Sequence, residues 1–123
     1  MVPARLRPAD AAEVTAALAA EPREPAQTRL LVKHYLAVLS ERAPGASVEV
    51  RVPPYAAVQA VPGVRHTRGT PPAVVELDAE TWIALAVGEL TWATAEAAGR
   101  VRASGERADL SALLPLAPPL ARP

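Results

Sequence analysis

The spacing of apolar residues predicts helices in the first third of the chain. Over residues 9–42 apolar side chains recur at intervals of three and four, which is the period of an α-helix buried on one face. The prolines within 21–25 divide this region, because a proline disfavours helix at the residue before it. We therefore predict two helices, the second from about Gln27 to Arg42. Asp10 is expected to cap the first, with Glu13 completing a capping box.

From residue 47 onward the apolar residues recur at every second position. Residues 47–52 alternate strictly, with three valines on one face and three polar residues on the other, which predicts a strand with one wet face. Pro53 and Pro54 end it. Tyr55–Val61 and Ala73–Leu77 are predicted as two further strands.

Capping residues and glycines delimit the elements of the second half. Asp78 is expected to cap a helix over Ala79–Val87 that Gly88 closes in a left-handed conformation. A shorter helix is predicted from the Thr91 cap to Gly99.

The last predicted elements are short. A strand over 100–103 leads into a turn at 104–106, and a terminal helix containing several leucines is predicted to start at Asp109. The proline-rich tail, 117–123, is expected to be extended. No internal repeat is present, so we expect one domain over residues 1–123.

Composition excludes several classes of function. Thirteen basic and thirteen acidic residues balance, which argues against a general nucleic-acid binder or a polybasic membrane anchor. Cysteine is absent, so disulfides, thiolate catalysis and zinc–thiolate sites are excluded. Phenylalanine is also absent and aromatic residues make up 3% of the chain, so alanine, valine and leucine must build the core.

Targeting signals are not evident in the sequence. No apolar run approaches the roughly 20 residues needed to span a bilayer. The two arginines near the start are not followed by the apolar stretch of a signal peptide, which predicts a cytoplasmic protein without integral membrane association.

The second half of the chain resembles a known family. Its order is strand, Asp-capped helix with a tryptophan, Gly88-Glu89-Leu90, a short helix ending at Gly99, a strand leading to Gly105, and a leucine-rich segment. This order resembles the C-terminal half of the sterol carrier protein fold. The blocks 50–54 and 65–72 are similar to those of a small bacterial branch of that family, and the resemblance extends from about Ser47 to Leu116.

The resemblance implies a fold and a function. The fold would be α+β, with a five-stranded, mostly antiparallel sheet and helices packed on one face. An apolar tunnel between sheet and helices would hold a lipid, sterol or fatty acyl chain, without catalysis and without a cofactor. The chain departs from better-known lipid-carrying members, which line the tunnel with aromatic residues and methionines, because it has no phenylalanine.

Eight apolar residues are candidates for lining such a tunnel. They are Val50, Val58, Trp82, Leu85, Trp92, Leu110, Leu113 and Leu114. Each also has a purely structural interpretation. Two tryptophans on adjacent helices are more often core anchors. The C-terminal leucines are either a lid or partner-binding face, or a helix docked on the sheet.

The loop before the third strand carries the candidate polar site. His66, Arg68 and Thr70 lie within a few residues of each other beside Gly69. An arginine offers a bidentate fork to a carboxylate or phosphate, so this loop could hold an acidic head group. The alternative is that its arginines pair with Glu49 or Glu76 and serve only the structure.

Catalytic and metal-binding patterns are weak. The two histidines, His34 and His66, are not spaced with carboxylates as metal ligands are, and no metal site is predicted. Ser104 does not lie in the Gly-x-Ser-x-Gly elbow of hydrolases, so a Ser-His-Asp triad is not indicated.

The preferred hypothesis is therefore a non-enzymatic domain that binds a lipid, a fatty acyl chain or another apolar small ligand. The alternative is a ligand-free accessory or protein-interaction domain, related to those appended to bacterial mycothiol-dependent enzymes. Sequence alone leaves open whether the chain pairs with a second copy or with a protein partner.

Overall fold

In the computed structural model, residues 5–63, 73–105 and 108–117 are described. Within those ranges the chain forms an α+β fold, in which helices and strands are grouped in blocks along the chain. The elements in chain order are α1 (Ala11–Ala19), α2 (Pro25–Arg42), β1 (Val48–Val52), β2 (Ala56–Ala60), β3 (Ala73–Leu77), α3 (Ala79–Val87), α4 (Trp92–Ala97) and β4 (Val101–Ser104), followed by a 3₁₀ turn at Ser111–Leu113.

The described strands form a four-stranded mixed sheet in the order β2-β1-β3-β4. β1 and β2 form an antiparallel hairpin, and β3 and β4 are also antiparallel, but β1 and β3 are parallel. The β1–β2 hairpin explains why β1 and β3 are parallel. β2 returns the chain to the start of β1, where Ala60 lies opposite Val48, and β3 begins beside that same residue at Ala73. The expected α+β fold is confirmed. The described residues form four of the five expected strands, and two of the three pairs of neighbouring strands are antiparallel, so the sheet is mixed.

The caps predicted for α3 and α4 are confirmed. The Asp78 carboxylate accepts a hydrogen bond from the Thr81 backbone amide at 2.7 Å, and the Thr91 hydroxyl accepts one from the Thr94 amide at 3.2 Å. Gly88 ends α3 with φ +84°, in the left-handed region that a side chain would disfavour. Both helices therefore begin where a short polar side chain satisfies a free backbone amide.

The capping box predicted for α1 was wrong, and one forms at α2 instead. Asp10 makes no side-chain hydrogen bond at the start of α1. At α2, the Glu24 side chain accepts from the Gln27 backbone, and the Gln27 side chain accepts from the Glu24 amide at 2.9 Å. Pro25 occupies the first turn, where a proline loses no helical hydrogen bond. α2 consequently starts two residues earlier than predicted.

The terminal helix predicted from Asp109 is only a 3₁₀ turn. Asp109 accepts a hydrogen bond from the Ser111 amide at 2.8 Å, as a capping residue does, and so fixes where the turn begins. Pro115 then disfavours helical geometry at Leu114, whose backbone is extended. Too few residues remain between these two constraints for a stable α-helix.

The core lies between one face of the sheet and the helices. On β1 and β3 alternate residues are buried, as the period of two predicts. α2 and α3 place Leu31, Leu36, Trp82 and Leu85 in the same cluster, all with 0% exposure. None of the described helices is long and apolar enough to cross a membrane.

Candidate functional site

An apolar layer separates the inner face of the sheet from α2 and α3, and it is the place where the sequence predicts a ligand. Its members are buried apolar side chains that pack into one cluster. We define the apolar layer by Val48, Val50, Val52, Val75 and Leu77 from the sheet, and by Leu31, Leu36, Leu39, Trp82, Ile83 and Leu85 from the helices.

The eight predicted lining residues divide into two groups. Val50, Trp82, Leu85 and Leu110 are 0% exposed and Trp92 is 5% exposed, so these five belong to the packed centre of the core. Val58, Leu113 and Leu114 are half-buried and pack against that centre from its margins. The structure thus brings all eight to one core cluster.

Trp82 ties the two main helices of the layer together. Its indole Nε1 donates a hydrogen bond to the Val32 carbonyl at 3.3 Å, which satisfies the polar atom of an otherwise apolar side chain. Trp92 lies at the start of α4 and is buried against the same cluster. Both tryptophans therefore act as core anchors in the described structure.

One margin of the apolar layer lies along β2. Val58 faces the core side and is paired with Val50 on β1. Its neighbours on that side, Tyr55 and Ala56, are also only half-buried. Within the described sheet β2 has a neighbour on one side only, so apolar side chains reach the surface along this strand.

The other margin is formed by residues 108–117. Leu110 and Leu116 are buried, whereas Leu113 and Leu114 between them are half-buried. The segment is fixed to the end of α3, because the Leu116 and Ala117 amides both donate to the Ala86 carbonyl, at 2.8 and 2.9 Å. The C-terminal leucines therefore cover the core without forming the predicted helix.

Arg23 links the end of α1 to the start of α3 at the rim of a cleft. A volume of about 520 Å³ opens to solvent between the end of α1 and the start of α3, with Glu80 and Glu89 on its wall. The Arg23 Nε donates to the Ala17 carbonyl at 3.1 Å, and its guanidinium lies 3.5 Å from the Glu80 carboxylate. Burial raises the pKa of Tyr35 on α2, and the Arg23 charge opposes that shift. This role of Arg23 was not predicted from the sequence.

A second cleft, of about 400 Å³, opens beside the ends of β1 and β3. Arg100 lies on its wall, and its Nε donates to the buried Thr81 hydroxyl at 3.0 Å. Burial acts to raise the pKa of Asp78, but hydrogen bonds from Thr81 and the Arg100 charge hold it below its usual value. This network was not predicted from the sequence, because Thr81 and Arg100 are far apart along the chain.

The predicted head-group residues His66, Arg68 and Thr70 lie outside the described residues, so their role stays a prediction. The carboxylates proposed as structural partners of that loop are described. Glu49 already forms an ion pair with Arg51 at 2.8 Å, on the outer face of the sheet. Glu76 lies on the same face, in register with Arg51 and Arg102.

Within residues 5–63, 73–105 and 108–117 the structure indicates no metal site. There, no three histidine or carboxylate side chains gather in a way that could hold an ion. His34 instead accepts a backbone hydrogen bond, and the Glu80 carboxylate faces Arg23.

Comparison with known protein families identifies a match. A family model described as a bacterial SCP ortholog, where SCP stands for sterol carrier protein, matches residues 24–116, well over half of the chain. The match begins at the cap of α2 and ends at the buried Leu116, so it includes the whole described sheet. No curated protein matches the chain.

Proposed function

The chain belongs to the family of bacterial sterol carrier protein orthologs, and from that premise we propose that it binds a lipid, a fatty acyl chain or another apolar small ligand in the apolar layer. Binding would be non-catalytic. The driving force would be removal of the ligand's methylene groups from water, about 0.8 kcal/mol for each buried CH₂.

The observation that carries this proposal is the form of the apolar layer. Its centre is built from aliphatic side chains and Trp82, and the polar atom of Trp82 is satisfied by the Val32 carbonyl. A ligand chain in this layer would therefore meet no unpaired polar side chain from these residues, which is the environment that an acyl chain or sterol requires.

The two half-buried margins supply the proposed entry points. Along β2, Val58 and its neighbours present apolar atoms to both the core and the surface. At the C-terminal segment, Leu113 and Leu114 do the same. We favour the β2 margin, because β2 has only one neighbour in the described sheet and its core-facing side chains Ala56 and Val58 are half-buried.

An acidic head group would be held by the loop before β3. Arg68 would supply the guanidinium fork, and His66 and Thr70 would add hydrogen bonds. This part of the proposal rests on residue chemistry and on the short distance along the chain from Thr70 to Ala73, the first residue of β3.

The first experiment is native mass spectrometry of the freshly purified full chain, with lipid extraction of the same sample. We expect an added mass that matches a fatty acid, acyl ester or isoprenoid recovered in the extract. Incubation of a delipidated sample with a panel of acyl chains and sterols should then raise the melting temperature, because a ligand that binds only the folded state stabilises it.

A clean apo mass together with an unchanged melting temperature across the panel would overturn the proposal. That outcome favours an accessory domain whose core takes no ligand. The next step would then be a search for a protein partner.

A further inference from the structure

His34 fastens the N-terminal segment, residues 5–10, to the middle of α2. Its Nδ1 accepts a hydrogen bond from the Ala9 backbone amide at 2.9 Å. The imidazole is half-buried and its ring packs edge-on against Tyr35, with ring centroids 4.7 Å apart. Leu6 and Ala9 are themselves half-buried against the core, so the bond holds apolar surface in place.

This hydrogen bond exists in only one protonation state of the ring. An imidazole nitrogen accepts a hydrogen bond only when it carries no proton, so the bonded form is the neutral tautomer with its proton on Nε2. When Nδ1 gains a proton, it becomes a donor that faces the Ala9 donor. The contact then cannot persist, and the cation also favours a wetter environment than this half-buried site.

The charged groups on the elements next to His34 have both signs. On α2, Glu41 favours the protonated ring. The N-terminal segment carries Arg7 and Asp10 on either side of the bonded amide, with opposite signs, and α1 adds Glu13 in its first turn. Burial outweighs the effect of Glu41 and lowers the pKa of His34 below its ordinary value of 6.5. The ring is therefore neutral, and the bond formed, at neutral pH.

We propose that His34 and Ala9 form an acid-sensitive latch, which holds residues 5–10 against α2 at neutral pH and releases them when Nδ1 is protonated. Release uncovers the apolar surface beneath Leu6 and Ala9, while α1 keeps its own buried contacts with the core at Val14 and Ala17. The latch acts whether or not the apolar layer takes a ligand.

The test is a pH titration of the full chain, labelled with ¹⁵N, followed by NMR from about pH 8 to about pH 4.5. The ring nitrogen shifts of His34 report its protonation, and the Ala9 amide proton shift reports the hydrogen bond. We expect both to change with one common midpoint below that of a free histidine, and the Leu6 methyl signals to move toward exposed values over the same interval.

Two variants separate the latch from general effects of acid. In His34→Asn the amide oxygen can take the position of Nδ1 and accept the same bond without titrating, so the Ala9 shift should become independent of pH. His66→Gln removes the only other histidine and should leave the transition intact.

The latch is refuted if the Ala9 amide shift stays constant while the wild-type His34 ring titrates. It is equally refuted if the transition persists in His34→Asn. Should that variant fail to fold, the wild-type titration still decides, because it observes the proton and the bond independently.

Discussion

The indole Nε1 of Trp82 donates a hydrogen bond to the backbone carbonyl of Val32, 3.3 Å away, where α3 packs on α2. Both residues are 0% exposed. A single side chain therefore supplies the largest apolar surface in the layer and a directional link between its two main helices. Substitution of Trp82 can separate the contribution of its hydrogen bond from that of its apolar surface.

Trp82→Phe should keep most of the apolar contact and lose the hydrogen bond. We expect it to lower the free energy of unfolding by about 1 kcal/mol more than Trp92→Phe does, which is the usual net value of one hydrogen bond. Trp92 is a suitable control because it is 5% exposed and no described hydrogen bond involves its ring. Urea unfolding followed by circular dichroism measures the difference, and equal losses would show that the bond adds nothing.

Gly45 and Gly99 both have positive φ, at +150° and +73°, but their surroundings differ. A Cβ at Gly45 would clash with the Val61 carbonyl, which is held by hydrogen bonds from the Ser47 amide and hydroxyl at 3.1 and 2.7 Å. A Cβ at Gly99 would meet no atom within 4 Å.

Gly99→Ala should therefore cost about 1–2 kcal/mol, from backbone strain alone. Gly45→Ala should cost more than about 3 kcal/mol, because the fixed carbonyl cannot yield. Thermal and urea unfolding of the two variants provide the comparison. A Gly45→Ala variant as stable as Gly99→Ala would mean that the turn between α2 and β1 adjusts freely.

The Asp78 cap makes α3 sensitive to acid. Because the folded-state pKa of Asp78 lies below that of the unfolded chain, its stabilisation is complete above the unfolded pKa and is lost as pH falls through the folded value. Asp78→Ala should lower the free energy of unfolding by about 1 kcal/mol at neutral pH, and by less near pH 2. Asp78→Asn should retain most of the cap without the pH dependence.

Asp10 is the matched control for this prediction. It occupies the same cap position at α1 but makes no side-chain hydrogen bond. Asp10→Ala should change stability by less than about 0.5 kcal/mol at any pH between 2 and 7. If both alanine variants lost the same stability, the hydrogen bond to Thr81 would not be the source of the Asp78 effect.

Local patterns predicted much of the fold. The strict alternation over residues 47–52 and the Asp78 and Thr91 caps each depend on neighbours in sequence, and the structure confirms the strand and both helices. The prediction of a terminal helix was wrong because Pro115 follows Asp109 too closely for an α-helix to form between them, whatever the spacing of the leucines.

Contacts between distant residues could not be predicted in the same way. Arg23 and Glu80 are 57 residues apart, and Thr81 and Arg100 are 19 apart, so each pair meets only after the surrounding elements have packed. The Ala9–His34 bond likewise joins residues 25 apart. No spacing rule in one sequence identifies such pairs, because they depend on where whole elements dock.

The proposed head-group contact predicts a difference between two ligands with the same chain. Arg68→Ala should weaken binding of a long-chain fatty acid by about tenfold or more, the effect of losing a charge-assisted hydrogen bond. Binding of the corresponding methyl ester should change little. Calorimetric titration of both ligands checks this. A similar loss for acid and ester would exclude the guanidinium clamp, and a loss of folding would favour a structural role for the loop.

The proposed entry along β2 can be tested by two substitutions at neighbouring positions. Val58 is half-buried on the core side opposite Val50, whereas Ala57 is exposed on the other face. Val58→Trp places a large side chain at the margin, while Ala57→Trp adds the same group to the wet face.

We expect Val58→Trp to slow the association of a fluorescent acyl probe by about tenfold, since overpacking costs about 1–3 kcal/mol and here raises the barrier to passage. Ala57→Trp should leave the association rate within about twofold, because side chains on the outer face do not reach the layer. Circular dichroism and urea unfolding must show that both variants fold. An unchanged association rate in a folded Val58→Trp would place entry at the C-terminal leucines instead, since Leu113 and Leu114 form the other half-buried margin of the same core.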